Sequence, residues 1–311
     1  MSIYEYLSSE LSLSGAKINQ VARTAPLRYK VYTIPKRTFG ERTIAHPAKV
    51  LKVIQRVLIR YFEDRLPVHE AACAYKKGSS IKKNAAVHMK SKYLLKMDFL
   101  NFFHSVSSSL FFEKLDGIDF KYTNEERYLL NRVLFWSPSK RLGGKLILSI
   151  GAPSSPLISN FIMYDFDCAL HEACSEKGIK YTRYADDITF STNSTGTLFL
   201  VPSLVRRLLK LHTNGKISVN ESKTIFSSKA HNRHVTGITL ANNGRLSIGR
   251  ERKRLISSML YRFKMGSLSS EDVPTLQGLL AFAFNIEPAF KASMVRKYSL
   301  ISVESALKGQ Q

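Results

Sequence analysis

Tyr181-Thr182-Arg183-Tyr184-Ala185-Asp186-Asp187-Ile188-Thr189-Phe190 is rich in β-forming residues, yet Ala185-Asp186-Asp187 interrupts it. That pattern reads as strand–turn–strand, with two adjacent acids at the turn. Turns favour Asp for ordinary reasons, so the pair alone has a purely structural explanation. Upstream, Tyr93-Leu94-Leu95-Lys96-Met97 reads as a buried strand that ends on another acid, Asp98. A carboxylate there is costly to bury unless something neutralises it. If these strands are neighbours in one sheet, Asp98, Asp186 and Asp187 converge. Carboxylates grouped in that way suit a pair of Mg²⁺ ions about 4 Å apart, with Mn²⁺ as a substitute, the arrangement for in-line phosphoryl displacement. One ion lowers the pKa of the attacking hydroxyl; the other stabilises the leaving pyrophosphate. No Ser-His-Asp or Cys-His order makes comparable sense of the chain. The histidines lack metal-ligand spacing and read as packing or surface residues.

Outward from this centre, the chain shows no internal repeat, low-complexity tract or long linker. The residues through about Thr24 read as short helices. Val31–Ile34 and Thr43–Ala45 are β-prone, and Lys36–Arg42 between them reads as a hairpin tip. Val50 to Leu66 places Val50, Leu51, Ile54, Val57, Leu58 and Phe62 on one helical stripe, with Lys52, Arg56, Arg60 and Arg65 largely off it. Ser154 or Ser155 before Pro156 is a helix-start signal, a capping hydroxyl followed by proline in the first turn. That helix is expected to run to about Cys174 with Leu157, Phe161 and Ile162 inward. After about Gly249 the pattern is helical to the end.

Charge narrows the function. The 311 residues carry 47 Lys and Arg against 24 acids, a formal net charge of +23. Such an excess is best neutralised by a polyanion. A membrane is the alternative, but no run approaches the roughly 18 apolar residues of a spanning helix, and Met1–Ser14 is too acidic and interrupted for a signal peptide. Between Val205 and Met265 stand fourteen Lys or Arg, among them Arg250, Arg252, Lys253 and Arg254, against Glu221 and Glu251 alone. A solvated helix face would mix both signs, so this stretch reads as a phosphate-binding footprint. Cys73, Cys168 and Cys174 are odd in number and have no CxxC spacing, which fits core packing in a reducing cytoplasm.

Tyr184-Ala185-Asp186-Asp187 resembles the signature hairpin of reverse transcriptases, and Leu95-Lys96-Met97-Asp98-Phe99 through Phe103 resembles their first acidic motif. Gly151-Ala152-Pro153-Ser154-Ser155-Pro156 with Ser159-Asn160 is similar to the family's glycine motif and its helix. Asn220–Thr224, with Lys223, is similar to the next motif. Arg42, followed by Pro47 and Gln55, resembles the fingers segment. The motifs run in family order from about residue 30 to 240. Asn84-Ala85-Ala86-Val87-His88 and Val235-Thr236-Gly237 resemble segments of the bacterial retron branch. One departure stands out: where the family has Pro-Gln before the glycine, this chain has Ser149-Ile150 and so lacks a side-chain amide.

The resemblance implies an α+β right-hand polymerase: residues 1–92 an N-terminal segment and fingers, 93–240 a palm with an antiparallel sheet and a fingers-like insertion at about 107–148, and 241–311 a helical thumb. It implies an RNA-directed DNA polymerase in the bacterial cytoplasm, making a branched RNA-linked single-stranded DNA in anti-phage defence. Its partners would be a structured non-coding RNA as template and primer, deoxynucleoside triphosphates, the DNA product and a companion effector protein, with no membrane. Asp98, Asp186 and Asp187 are then the metal-binding catalytic acids and Lys223 the candidate general acid for pyrophosphate. Lys36, Arg37, Arg42, Phe99, Phe103, Gly151 and Ala152 would meet the nucleotide, with Phe103 excluding a ribose 2′-OH and Phe102 packed inward. Asn84, His88, Val235, Thr236, Gly237, Arg250, Arg252, Lys253 and Arg254 would meet RNA. Rival readings are a group II intron or diversity-generating reverse transcriptase, an RNA-directed RNA polymerase, and a non-catalytic RNA-binding module.

Overall fold

The computed structural model describes residues 1–36 and 40–309, and the strands within them form three separate sheets. Two N-terminal helices, Ile3–Leu11 and Gly15–Thr24, begin on capping serines, Ser2 and Ser14. They lead into a hairpin of β1 (Tyr29–Pro35) and β2 (Glu41–Pro47), paired antiparallel with Tyr32 opposite Ile44. Six of the seven β1 residues are exposed, whereas Tyr29 and its partner Pro47 are buried, so the hairpin is anchored at that end and stands out from the body toward Pro35 and Glu41. The helix Lys49–Phe62 follows and buries Leu51, Ile54, Val57, Leu58 and Phe62 as its stripe requires. Val50, assigned to that stripe by sequence, is exposed instead: it lies at the edge of the stripe beside exposed Val53, while Leu51 in the same turn is buried.

The second sheet is the structural centre. It contains β3 (Tyr93–Asp98), β4 (Lys180–Tyr184), β5 (Asp187–Thr192) and β6 (Ile225–Ser228), in the order β4-β5-β3-β6 with every pair antiparallel. Side chains alternate across a strand. Leu95, Met97, Ile188 and Phe190 therefore point into the large core, while Lys96 and Asp98 lie on the opposite face with their partners Thr189 and Asp187. Helices Ser155–Ile162 and Tyr164–Ser175 supply Ile158, Phe161, Phe166 and Leu170 to that core. Sequence patterning predicts one continuous helix here, but the chain breaks at Met163. The expected hydroxyl cap is also missing: Ser154 makes no capping bond, and Pro156 alone marks the start.

The third sheet, β7 (Arg233–Val235), β8 (Ile238–Leu240) and β9 (Leu246–Ser247), lies with the C-terminal helices. Those helices, Arg250–Lys264, Val273–Ile286, Pro288–Tyr298 and Leu300–Lys308, share a second core with Val235, Ile238, Leu240 and Ile248. Ala85, from the helix Ile81–His88, and Leu94 of β3 join this core and couple it to the central sheet. No helix among the described residues is long and apolar enough to cross a membrane. Cys73, Cys168 and Cys174 are free thiols, and burial pushes Cys174 up to about 12.

Candidate active site

The register of the central sheet sets Asp98, the last residue of β3, directly opposite Asp187, the first residue of β5. Tyr184 pairs with Asp187 across β4 and β5, which leaves Ala185 and Asp186 as a two-residue turn. Ala185 has φ +58°, a left-handed conformation that this kind of turn normally gives to glycine. The turn is tied back to β3, because the Phe99 amide donates to the Asp186 carbonyl at 3.1 Å. The three acids named from sequence are thus gathered at one end of the sheet.

Lys223 joins them from a short turn after the helix Val201–Thr213. The Asn220 amide donates to the Asp98 carbonyl at 2.7 Å and fixes that turn against β3. Lys223 Nζ then straddles the Asp98 carboxylate, at 2.9 and 3.0 Å from its two oxygens. Burial and the charge of Asp98 raise the Asp186 pKa, against the pull of Arg42 and Lys223. Burial, Asp186 and Asp98 together push Asp187 up to about 6. Crowded carboxylates that resist ionising mark a place where a cation is favoured. Among the described residues no three acid, histidine or cysteine side chains are arranged as a finished metal cage. The donor set nevertheless fits a divalent ion. Hard carboxylate oxygens match Mg²⁺ or Mn²⁺, and the mutual repulsion of the acids is what such a charge would relieve.

The remaining expectations divide. Arg42 is exposed within electrostatic reach of Asp186, and Lys36 is exposed at the end of β1. Arg37 lies outside the described residues. Phe102 is buried and Phe103 only partly so, as anticipated from their spacing. Phe99 was expected to meet the nucleotide. Its ring is instead buried 5.5 Å from Phe102 and 5.9 Å from Phe166, so it serves the core. Gly151 has φ +122°, and a Cβ there would sit 3.1 Å from the Ala45 carbonyl, so glycine is required by contact with β2. Ala152 is buried. Ile150, which replaces the family's amide side chain, accepts the Ala45 amide through its backbone at 2.9 Å.

The two retron-like segments meet each other rather than solvent. His88 is buried, with Nδ1 2.8 Å from Ser191 Oγ and Nε2 2.8 Å from Thr182 Oγ1. Thr182 in turn donates to Asn84 Oδ1 at 2.6 Å, and Asn84 Nδ2 reaches Thr236 Oγ1 at 3.5 Å. Val235 is fully buried. Asn84, His88 and Val235 are therefore corrected from RNA contacts to parts of a buried junction. The reason is that the period-2 alternation of β4 and β5 turns Thr182 and Ser191 toward that helix. Of the residues expected to meet RNA in these segments, Thr236 and Gly237, at the β7–β8 turn, retain exposure. Arg250 and Arg254 are exposed, whereas Arg252 donates to the Gly237 carbonyl at 2.7 Å and Lys253 pairs with Glu287 Oε1 at 2.5 Å.

Tyr75 escaped the sequence reading. It is exposed, has φ +61°, and lies within electrostatic reach of Asp186, Tyr184 and Arg42. The turn-forming Lys76-Lys77-Gly78-Ser79 after it was the available signal.

Comparison with known proteins shows the family. Residues 34–240 match the reverse transcriptase (RNA-dependent DNA polymerase) family. The chain is 47% identical over 282 residues to the retron Ec83 reverse transcriptase of Escherichia coli, covering 90% of each chain. It is 34% identical over 310 residues to the retron Ec73 reverse transcriptase of the same organism, covering 96% of this chain and 95% of that one. Telomerase from Candida tropicalis, in complex with a fragment of telomeric RNA, superposes with a TM-score of 0.50 at 12% identity, over 93% of this chain and 58% of that one. That likeness is one of fold alone, a right-hand polymerase of helices and antiparallel sheets. Divalent metal ions serve the chemistry of this family generally. The chain belongs to the reverse transcriptases, in their bacterial retron branch, and is an RNA-directed DNA polymerase.

Proposed function

We propose that Asp98, Asp186 and Asp187 form the polymerising centre and together hold two Mg²⁺ ions, and that Mn²⁺ can replace them. The observation that carries this reading is the register pairing of Asp98 with Asp187 beside the Ala185-Asp186 turn. When bound, the ions supply charge that activates the primer hydroxyl and stabilises pyrophosphate. The chain's own groups supply the surroundings. Lys223 pairs with the Asp98 carboxylate and is the group that gives a proton to pyrophosphate. Arg42 and Lys36 meet the triphosphate from the hairpin. Phe103, partly buried beside fully packed Phe102, is the ring that tests the sugar for a 2′-OH. Arg250 and Arg254 on the C-terminal helices, with the Thr236-Gly237 turn, grip the duplex.

We further propose that the template is a structured non-coding RNA and that synthesis starts on an internal 2′-OH of that RNA. The product would be a single-stranded DNA joined to RNA through a branch, acting in anti-phage defence in the bacterial cytoplasm beside a companion effector protein. The similarity to retron reverse transcriptases over nine-tenths of the chain supports this finer reading. Holding one hydroxyl at the acids is a positioning task, and positioning alone lowers such barriers by roughly 7–11 kcal/mol. The test is to express the protein with its neighbouring RNA locus, extract nucleic acid, and treat it with ribonuclease and with a debranching enzyme. A discrete short DNA whose mobility shifts under both treatments is expected. Linear, heterogeneous complementary DNA would overturn the branched-product reading and leave the polymerase standing.

A further inference from the structure

Two non-glycine residues in the left-handed region flank the acids, Tyr75 at φ +61° and Ala185 at φ +58°. Such conformations persist only where the surroundings hold them, and they collect at functional sites. Both trace to one buried cluster. Asp167, Arg183 and Asn160 are 0%, 0% and 2% exposed beneath the turn. Arg183 Nε donates to both Asp167 oxygens, at 2.9 and 3.2 Å, and Nη2 donates to Oδ2 at 2.5 Å. The Tyr181 hydroxyl completes the carboxylate at 2.7 Å. One nitrogen of the guanidinium remains, and Nη1 divides its donors between the Ala185 carbonyl and Asn160 Oδ1, each at 3.1 Å. Asn160 then turns its amide the other way and donates to the Ala74 carbonyl at 2.9 Å. An unbroken chain of hydrogen bonds therefore links the residue before Tyr75 to the residue before Asp186. The backbone reinforces it, because Arg183 N donates to Ala71 O at 2.8 Å and Cys73 N donates to Arg183 O at 2.7 Å.

A fully buried ion pair is a poor way to stabilise a fold, since an apolar replacement often does as well. It is a good way to hold geometry, because a planar guanidinium fixes each partner in direction as well as distance. We propose that Asp167, Arg183 and Asn160 are positioning residues that set the Ala185-Asp186-Asp187 turn and the Tyr75 segment in one mutual register, so that Tyr75 faces the reacting groups. None of the three touches a reacting atom. The proposal rests on the reading of Asp186 and Asp187 as catalytic.

Asn160→Leu keeps the branched shape of the side chain and removes both hydrogen bonds of the amide. In the full-length protein we expect kcat for extension of a primed RNA template to fall by about 10²-fold, the order expected for a small misplacement of reacting groups. KM for the nucleotide should change little. Backbone amide exchange should rise together around Tyr75 and around Asp186, a response that general loosening would not confine to those two segments. Asn160→Asp keeps the acceptor for Arg183 and loses only the donor to Ala74, so exchange should rise near Tyr75 alone, with a smaller loss of kcat. Wild-type exchange at Asp186 in folded Asn160→Leu, or unchanged kcat, would overturn the relay. If Asn160→Leu does not fold, Asn160→Asp decides: a rise confined to the Tyr75 segment supports the relay, and no rise or a uniform rise refutes it. An active Asp186→Asn enzyme would instead sink the catalytic reading, and the exchange result distinguishes the two failures.

Discussion

The same face of the central sheet carries two polar groupings, and their chemistry is opposite. At one end Asp98 and Asp187 face each other beside Asp186, and burial together with their charges pushes the Asp186 and Asp187 pKa values upward. Toward the other end, Thr182 and Ser191 meet His88 and Asn84, and these side chains have partners within the protein. Both groupings stand out as motifs in the sequence. What separates them is satisfaction: the first has one cation, Lys223 on Asp98, for three carboxylates and leaves Asp186 and Asp187 shifted upward, and the second meets its own demand. A polar motif whose bonds close internally is structural, and one left in deficit awaits a ligand.

The largest effect is expected at the deficient end. Asp186→Asn should lower Mg²⁺-dependent nucleotide incorporation by on the order of 10⁴-fold, as loss of one member of a catalytic set does. Its melting temperature should stay level or rise, because one of the mutually repelling charges is gone. Near wild-type incorporation by the purified variant would break the comparison at its root.

The neighbouring rings sharpen it further. Phe102 is buried and Phe103 is not, one residue apart. Phe102→Ala should cost about 3–5 kcal/mol in urea unfolding, the usual price of a buried ring. Phe103→Ala should cost less stability than that, because its ring is only partly buried, and should raise the ribonucleotide-to-deoxyribonucleotide ratio of kcat/KM. Exchanged phenotypes would reverse the two faces.

At the satisfied end the expectation concerns pH. Burial, and secondarily Lys180, lowers His88 from 6.5 to about 3. Above pH 6.5 folded and unfolded chains both hold a neutral imidazole, so its contribution is complete. Below that, the unfolded chain takes up a proton that the folded one refuses. Stability from this group should fall by about 2 kcal/mol between about pH 7 and pH 5. His88→Gln should remove that part of the slope and leave kcat at neutral pH unchanged. A slope identical in both proteins would mean that the imidazole is not held neutral.

These contrasts also show how far the sequence reaches. The hairpin at Tyr184–Asp187, the strand into Asp98 and the helical C-terminal third were legible because period and composition are local properties. The pairing of Asp98 with Asp187 followed once both strands were placed in one sheet. What stayed hidden depends on neighbours distant in the chain. Asn84 and His88 look like exposed polar residues until Thr182 and Ser191 are brought over them. Phe99 differs from Phe103 only through the rings packed around it. Tyr75 carries no periodic signal, and its importance comes from a backbone conformation fixed by Asn160, far along the chain. The break at Met163 was invisible because both halves continue the same apolar stripe.

The C-terminal cations extend the contrast between free and satisfied charge to the smallest expected effect. Arg250 and Arg254 are exposed, and Lys253 is paired with Glu287 and lies over the Phe290 ring at 5.7 Å. Each cation that neutralises a phosphate contributes about 0.7–0.9 to the slope of log K against log salt. Arg250→Gln with Arg254→Gln should therefore flatten the slope for RNA binding by about 1.5, measured between about 50 and 200 mM salt. Lys253→Gln should leave the slope where it was, because its charge is already spent on Glu287, and should act through stability instead. A full unit of flattening from Lys253→Gln would mean that the pair opens when RNA binds. Glu287 would then be a carboxylate that competes with phosphate for Lys253, and Glu287→Gln should tighten binding.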